Sequence, residues 1–361
     1  MKLFYDARYI RPDFHDGISR YTTEIANALA KLTPLTFIIS DEKQLAFLPA
    51  NADFVKIHPP ISPKEPFTSL ILNKYRPDIV FSPLFSMGTF GRRFKLILTS
   101  HDMIYIHHPE PPLDITNKIV RAGWRAFYTT KLPMRITLNS ADMVNTVSES
   151  AKKEFIETNI TNRPIIVTPN APKHLEDLLE KLPDISKKAP RNIIYMGAFI
   201  SYKNVETLIK AMEYLPEYTL HLLSHLPPEE RYHQLLSIIP NGAKVVWHKG
   251  VNDQQYADIL ADNAFLASAS LDEGFGLPVV EAQTVGLPTI LTDMPVFHEV
   301  AGDGALYFDA HNPKDFAEKV KQLDSQELRV KLSKAGKKHV ARYSWDASAE
   351  SLLAAIKTLD K

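Results

Sequence analysis

No cysteine occurs among the 361 residues. That excludes a disulfide framework, a thiolate metal site and a cysteine nucleophile together. Net charge is missing as well: 42 Lys plus Arg balance 42 Asp plus Glu. No global field therefore draws the chain to nucleic acid, and no nucleic-acid partner is expected. No uncharged apolar run approaches the roughly 18 residues needed to span a bilayer. Asp6 and Arg8 interrupt the N-terminal stretch before a secretory apolar region can form. The expected location is cytoplasmic. Glycine is scarce, 13 residues where the usual ~7% would give about 25. Nine of the 13 lie at or after Gly197, so each is a candidate for a backbone requirement. Against these absences, 45% apolar and 23% charged residues are ordinary for a folded protein, and the length fits two domains.

Short runs rich in Ile, Val, Leu, Phe and Tyr recur along the chain. LFY (3–5), LTFIIS (35–40), DIVFSP (78–83), LILTSHD (96–102), MVNTVSE (143–149) and PIIVTP (164–169) form one series. NIIYMGAF (192–199), YTLHLLS (218–224), KVVWHKG (244–250), FLASAS (265–270), PTILTD (288–293) and ALYFD (305–309) form a second. Apolar residues fill successive positions instead of alternating, which predicts buried parallel strands. Helical patterns alternate with them at 19–31, 67–75, 115–136, 148–158, 205–214, 253–262, 279–285 and 313–322. The expected architecture is α/β, with two doubly wound domains. A charged, proline-bounded stretch at 172–190 separates the two series. The domains expected are 1–172, joined by a last helix at 346–361, and 173–345. Ser344 is a plausible N-cap for that helix, with Leu352, Leu353, Ile356 and Leu359 along one side.

The segment DEGFGLPVVEAQTVGLP (272–288) follows the strand FLASAS. Its glycines let the backbone approach a ligand and point N–H groups at it. Glu273 and Glu281, eight residues apart, supply acceptors suited to a hydroxyl-rich ligand such as a sugar or ribose. A purely structural reading stays open, with tight-turn glycines, a proline at the first helical position, and Glu281 in the first turn complementing the helix dipole. The order E-G-F-G-x-P-x-x-E resembles the Glu-x7-Glu motif of retaining glycosyltransferases of the GT-B fold. The whole chain is similar to glycosyltransferase family 4. GISRYTTEIANAL, the HD after the fourth strand, NSADMVNTVSE, YMGAFISYKNVETLIKAM and the closing SWDASAESLL fit the family in order.

The resemblance implies two Rossmann-like domains facing each other across a cleft, with the C-terminal helix crossing back to the first. It implies transfer of a hexose from a nucleotide sugar to an acceptor hydroxyl of a glycan or glycolipid. GDP-mannose is the preferred donor, with a UDP-sugar close behind, and no cofactor is required. By resemblance, the Gly17 amide meets the distal phosphate and Lys203 stabilises the leaving diphosphate. Glu273 and the Phe275, Gly276 and Leu277 backbone hold the sugar, and Glu281 holds the ribose. His101 lies beside the transferred sugar, Asp102 contacts donor or acceptor, and Asp253 borders the base pocket. Taken bare, Gly17 is also readable as a loop glycine, Lys203 as a solvated lysine and Asp253 as an N-cap. The family arginine directly after the strand glycine is here Ala198. That leaves the clamp to Lys203 alone, to Tyr202 or to a distant arginine.

Other readings define what would overturn this one. The density of His101, Asp102, His107, His108 and Glu110 resembles a metal site, yet no i, i+4 His pair or HExxH spacing is present. No metal is expected. No GxGxxG, Walker A or Asp-x-Asp pattern occurs, against dinucleotide oxidoreductases, P-loop kinases and metal-dependent transferases. A nucleotide-sugar 2-epimerase of the same fold and a silent sugar-binding subunit are the alternatives. Finally, 115–138 holds Lys118, Arg121, Arg125, Lys131 and Arg135 with no acidic residue, beside Trp124, Phe127 and Tyr128. This is either a basic face contacting an anionic membrane at its inner surface, or the solvated side of a helix packed on the first sheet.

Overall fold

The computed structural model describes residues 1–13, 16–111 and 117–360. Its strands form two parallel sheets. The first holds β1 (Leu3–Asp6), β2 (Thr36–Ile39), β3 (Asp53–Lys56), β4 (Ile79–Ser82), β5 (Lys95–Thr99), β6 (Met143–Thr146) and β7 (Ile165–Val167). Their order is β3-β2-β1-β4-β5-β6-β7, with Tyr5 in register with Phe37 on one side and Phe81 on the other. The second holds β8 (Asn192–Tyr195), β9 (Thr219–Leu222), β10 (Lys244–Trp247), β11 (Ala264–Ser268), β12 (Thr289–Thr292) and β13 (Ala305–Phe308), in the order β10-β9-β8-β11-β12-β13. Both are doubly wound. In each, the first strand of the series and the fourth lie side by side while the chain leaves them in opposite directions.

The chain divides into two compact units, Met1–Glu110 with Ala122–Asn170 and Tyr343–Lys361, and Pro111–Arg121 with Ala171–Arg342. In the first, Phe4, Val80, Leu96 and Leu98 form a core beneath the sheet, and helix Trp345–Leu359 packs on helix Gly17–Leu32. Ser344 caps that last helix, Ser348 Oγ donates to Pro169 O at 2.7 Å, and Leu352, Leu353 and Ile356 are buried. In the second unit, Phe199, Leu208, Leu220, Phe265, Phe308 and Phe316 form the core. Strands such as LFYD, buried at every position, confirm that continuous apolar runs mark sheets covered on both faces.

Four readings change. β3 went unread because it is a short edge strand, DFVK, largely exposed and charged at both ends. The pattern at 67–75 is a helix only over Thr68–Leu72, flanked by 3-10 turns and stopped by Arg76 at φ 50°. The pattern at 115–136 is two helices, Lys118–Tyr128 and Leu132–Asn139; its residues 115 and 116 lie outside the described residues. Pro133 sets the break, since its ring would clash with the Thr129 carbonyl in a continuous helix. Helices Glu229–Ser237, Pro295–Ala301 and Gln326–Val340 are additions.

Candidate active site

β8 and β11 are hydrogen-bonded neighbours, so the loops leaving their carboxyl ends diverge at the switch point of the second sheet. The loop after β8 ends in a 3-10 turn, Ser201–Lys203, and Lys203 Nζ lies 2.6 Å from Glu273 Oε1 on the loop after β11. Ser270 Oγ donates to the same oxygen at 3.1 Å. Both ends of the pair are mostly buried, in a site where charge–charge attraction is stronger than in water. The loops are tied by backbone too: Leu271 N–H donates to Tyr202 O at 2.7 Å. Asn204, at φ 48°, donates from Nδ2 to Ala269 O and Ala310 O. A residue in this strained region persists where its surroundings over-determine it; here three loops depend on it.

Glu273 leads into Phe275, Gly276 and Leu277. Gly276 has φ 96°, and a Cβ there would meet the Phe297 ring at 3.1 Å. Glycine is required at this turn on both counts. The helix begins at Leu277, so Pro278 is its second residue and not its first. Glu281 is the fifth residue, beyond the first turn, and is buried. Its carboxylate therefore does not act as a dipole complement at the helix start.

Ala198, where the resemblance led to the expectation of an arginine, has neighbours that the sequence left unnamed. Arg231, on helix Glu229–Ser237, donates from Nε to Phe199 O at 2.8 Å and pairs through Nη2 with Glu206 at 2.6 Å. The loop beside Ala198 is thus held by a guanidinium from about thirty residues away. Tyr202 lies with its ring 5.3 Å from Lys203 Nζ. No local motif marks Arg231; only the packing of its helix brings it here.

Asp253 sits apart from this group. It follows edge strand β10, and its carboxylate pairs with Lys173. The N-cap of helix Asp253–Ala261 is Asn252, whose side chain accepts from Gln255 N–H while Gln255 reciprocates. A cavity of about 610 Å³ lies next along the sheet, bounded by Ser270, Thr292, Asp293, Tyr307, Asp309 and Asp315. Neither Lys203 nor Glu273 lines it.

In the first unit, Gly17 opens helix Gly17–Leu32, capped by Asp16, whose Oδ1 accepts from Ser19 N–H at 2.8 Å. The Gly17 amide is among the first four, which have no intrahelical acceptor. His101 follows β5, with Nε2 3.0 Å from Pro83 O and its ring edge-on to Tyr21 at 4.9 Å. A carbonyl only accepts, so Nε2 carries the proton and Nδ1 is left as an acceptor. Burial pulls the His101 pKa down to about 4, against a small opposing pull from the Pro83 carbonyl and Asp16. The imidazole is neutral at pH 7. Tyr21 is fixed by a closed ring of hydrogen bonds: Asn145 Nδ2 donates to Tyr21, Tyr21 to Thr168, and Thr168 to Asn145 Oδ1. Asp102 accepts from Ile104 N–H at 3.0 Å, and His107 turns to Glu154 at 2.7 Å. Among the described residues no three His, Asp or Glu side chains converge as a metal-ligand set.

The turn that leaves β1 is anchored from behind. Arg8 is buried and bonds both Asp6, at 2.8 and 2.9 Å, and Glu65, at 2.7 and 2.9 Å. Burial opposes the Arg8 charge, yet the two carboxylates hold its pKa above the ordinary value.

Comparison with known proteins matches two family models, Glycosyltransferase Family 4 over residues 15–171 and Glycosyl transferases group 1 over residues 180–339. The O-antigen chain mannosyltransferase RfbU of Salmonella typhimurium is 27% identical over 270 residues, 71% of each chain. The serotype-specific mannosyltransferase WbdA of Escherichia coli is 36% identical over 110 residues, 30% of this chain; that match spans only 13% of its own length. Among solved structures, Anabaena HepE in complex with UDP has a TM-score of 0.74 at 15% identity, covering 99% of this chain and 100% of that one. The fold is therefore GT-B, and the chain belongs to glycosyltransferase family 4.

Proposed function

We propose that this glycosyltransferase is a retaining, metal-independent hexosyltransferase that takes a nucleoside diphosphate sugar, GDP-mannose by preference and a UDP-sugar otherwise. The Lys203–Glu273 pair at the β8/β11 switch point carries the reading. In the free protein Glu273 holds the ammonium in place, and Ser270 holds the Glu273 carboxylate. A diphosphate entering the switch point shares that ammonium, and the Glu273 carboxylate turns an oxygen to a sugar hydroxyl. As the bond from the anomeric carbon to the phosphate oxygen breaks, its electron pair goes to the diphosphate, where Lys203 is already in position. The acceptor oxygen bonds the anomeric carbon on the same face, and its proton passes to the departing phosphate oxygen. The Phe275, Gly276 and Leu277 backbone holds the sugar, and Glu281 the ribose. His101 offers Nδ1 to a sugar hydroxyl, and the Gly17 amide binds a phosphate oxygen. Asp102 and Asp253 act at the margins, toward acceptor and base.

Relatives named for O-antigen chains, and a structural neighbour solved with UDP, support a glycan acceptor and a nucleotide donor. On this reading the acceptor is a growing or lipid-linked glycan met at the inner face of a membrane. A panel of nucleotide sugars, with and without mannosylated acceptor, tests it. Transfer with retained anomeric configuration, read by proton NMR, is the expected result. Epimerised donor, or binding without turnover, would replace the reading by one of its alternatives.

A further inference from the structure

The strongest unassigned surface is the pair of helices Lys118–Tyr128 and Leu132–Asn139. The first makes its inward contacts through Arg121, Trp124 and Tyr128, spaced i, i+3 and i+7. Trp124 packs edge-on to Tyr105 at 5.0 Å and against Tyr128 at 4.7 Å. Phe127 meets Tyr128 edge-on at 4.9 Å as well, yet remains exposed along its outer side. The opposite face should be the polar one on a water-facing helix. It is instead Ile119, Ala122, Gly123 and Ala126, all exposed, with Ile119 at 83%. A Cβ on Gly123 would touch nothing within 4 Å. Val120 and Phe127 continue the face along one edge, and Lys118 and Arg125 line the other. The second helix repeats the arrangement. Met134 and Leu138 are buried, while Leu132 and Ile136 stand 62% and 63% exposed with Arg135 between them.

We infer that this face docks on an anionic lipid bilayer. From residue 115 to 141 the chain carries no carboxylate, and four of its five cations, Lys118, Arg125, Lys131 and Arg135, are exposed. A second copy would bring identical cations together across a two-fold axis, which like-charge repulsion opposes. A bilayer satisfies both halves of the pattern. Ile119, Val120, Phe127, Leu132 and Ile136 enter the acyl boundary, and the long basic side chains reach the lipid phosphates. Each cation near such a surface contributes about 1 kcal/mol, so attachment is reversible and salt-sensitive.

Co-sedimentation of the full chain with vesicles tests this without donor or acceptor, so its failure leaves the transferase reading standing. The protein should pellet with phosphatidylcholine–phosphatidylglycerol vesicles at low salt, and not with phosphatidylcholine alone. It should be released near 1 M salt, where the screening length falls to about 3 Å. Two double variants probe the two halves, I119S with F127S and K118E with R125E; all four side chains are exposed, and circular dichroism checks their folding. Each pair should lower vesicle affinity about tenfold or more. Absent pelleting, equal pelleting on neutral vesicles, or affinity unchanged in both variants would overturn the inference. So would concentration-dependent self-association that the same substitutions abolish, which would give the face to a second copy.

Discussion

Lys203 and Glu273 show what one residue can do at a switch point. Each is mostly buried and each is the other's partner at 2.6 Å. Lys203→Ala should lower turnover about 10²-fold or more, the scale for losing one charge-stabilising group, and steady-state kinetics on the folded variant decide it. Retained activity would remove Lys203 from the chemistry. The two glutamates should separate in calorimetry with free nucleoside diphosphate. Glu281→Ala should weaken binding about tenfold, the order expected for one lost hydrogen bond to a charged group, and Glu273→Ala should leave it nearly unchanged. A reversed pattern reverses their roles. Because Lys203 and helix N-termini neutralise the diphosphate on this account, exhaustive EDTA treatment should leave activity intact. Loss with recovery on adding Mn²⁺ would revive the cluster at His101–Glu110. The sequence singled out Glu273 and Glu281 through one contiguous motif, and Lys203 through a strand end and the family resemblance. Arg231 escaped it, because its contact with Phe199 exists only after a helix folds across the loop.

Elements were legible where apolar residues ran together and obscure where burial used other chemistry. Every apolar run of the two series became a strand, while β3 has no such run. Helix Gln326–Val340 went unread because its inward positions are Arg329, Leu332, Gly336 and Val340, a stripe in which only two residues advertise themselves as apolar. Arg329 is buried by donating to the carbonyls of Ile185, Leu323 and Asp324. Gly304 is needed because its turn packs directly on the Gly336 backbone, where a Cβ would lie 2.4 Å from the Gly336 Cα; a Cβ on Gly336 would itself meet the Gln283 side chain at 3.0 Å. The strand-to-helix turn at Gly276 was legible as a glycine requirement, and its φ of 96° makes the requirement testable. Gly276→Ala should cost about 1–3 kcal/mol in urea unfolding, from an unfavourable backbone region and a forced shift of Phe297. It should also weaken sugar binding, since Glu273 and Leu277 flank the turn. A variant as stable and active as the parent would mean that the turn relaxes freely.

At the scale of the whole molecule the chain is neutral, so its stability against pH is set by individual buried groups and not by net repulsion. Among the described residues four histidines, His58 and His101 in one unit and His221 and His248 in the other, have pKa values held below the ordinary 6.5, in each case first by burial. His221 and His248 also face each other at 3.0 Å. For each, the unfolded chain takes up a proton near pH 6.5 while the folded chain does not, so stability rises with pH across that window and falls on acidification. For His101 the window runs down to about pH 4, and at pH 5 the loss reaches up to about 2 kcal/mol. Asp142, held low despite burial by the Leu96 amide and Arg92, adds loss only below its ordinary 3.8. Glu65, pushed up by burial, works the other way and regains stability as it protonates. The first loss on acidification therefore belongs to the histidines. Unfolding free energies from urea titrations should fall steadily from pH 7 to pH 5, and the fall should be about 2 kcal/mol smaller in His101→Gln, which keeps a donor for Pro83 O but cannot titrate. An equal fall in parent and variant would mean that His101 accepts its proton in the folded state, and that the neutral imidazole offered to the sugar hydroxyl does not persist below neutral pH.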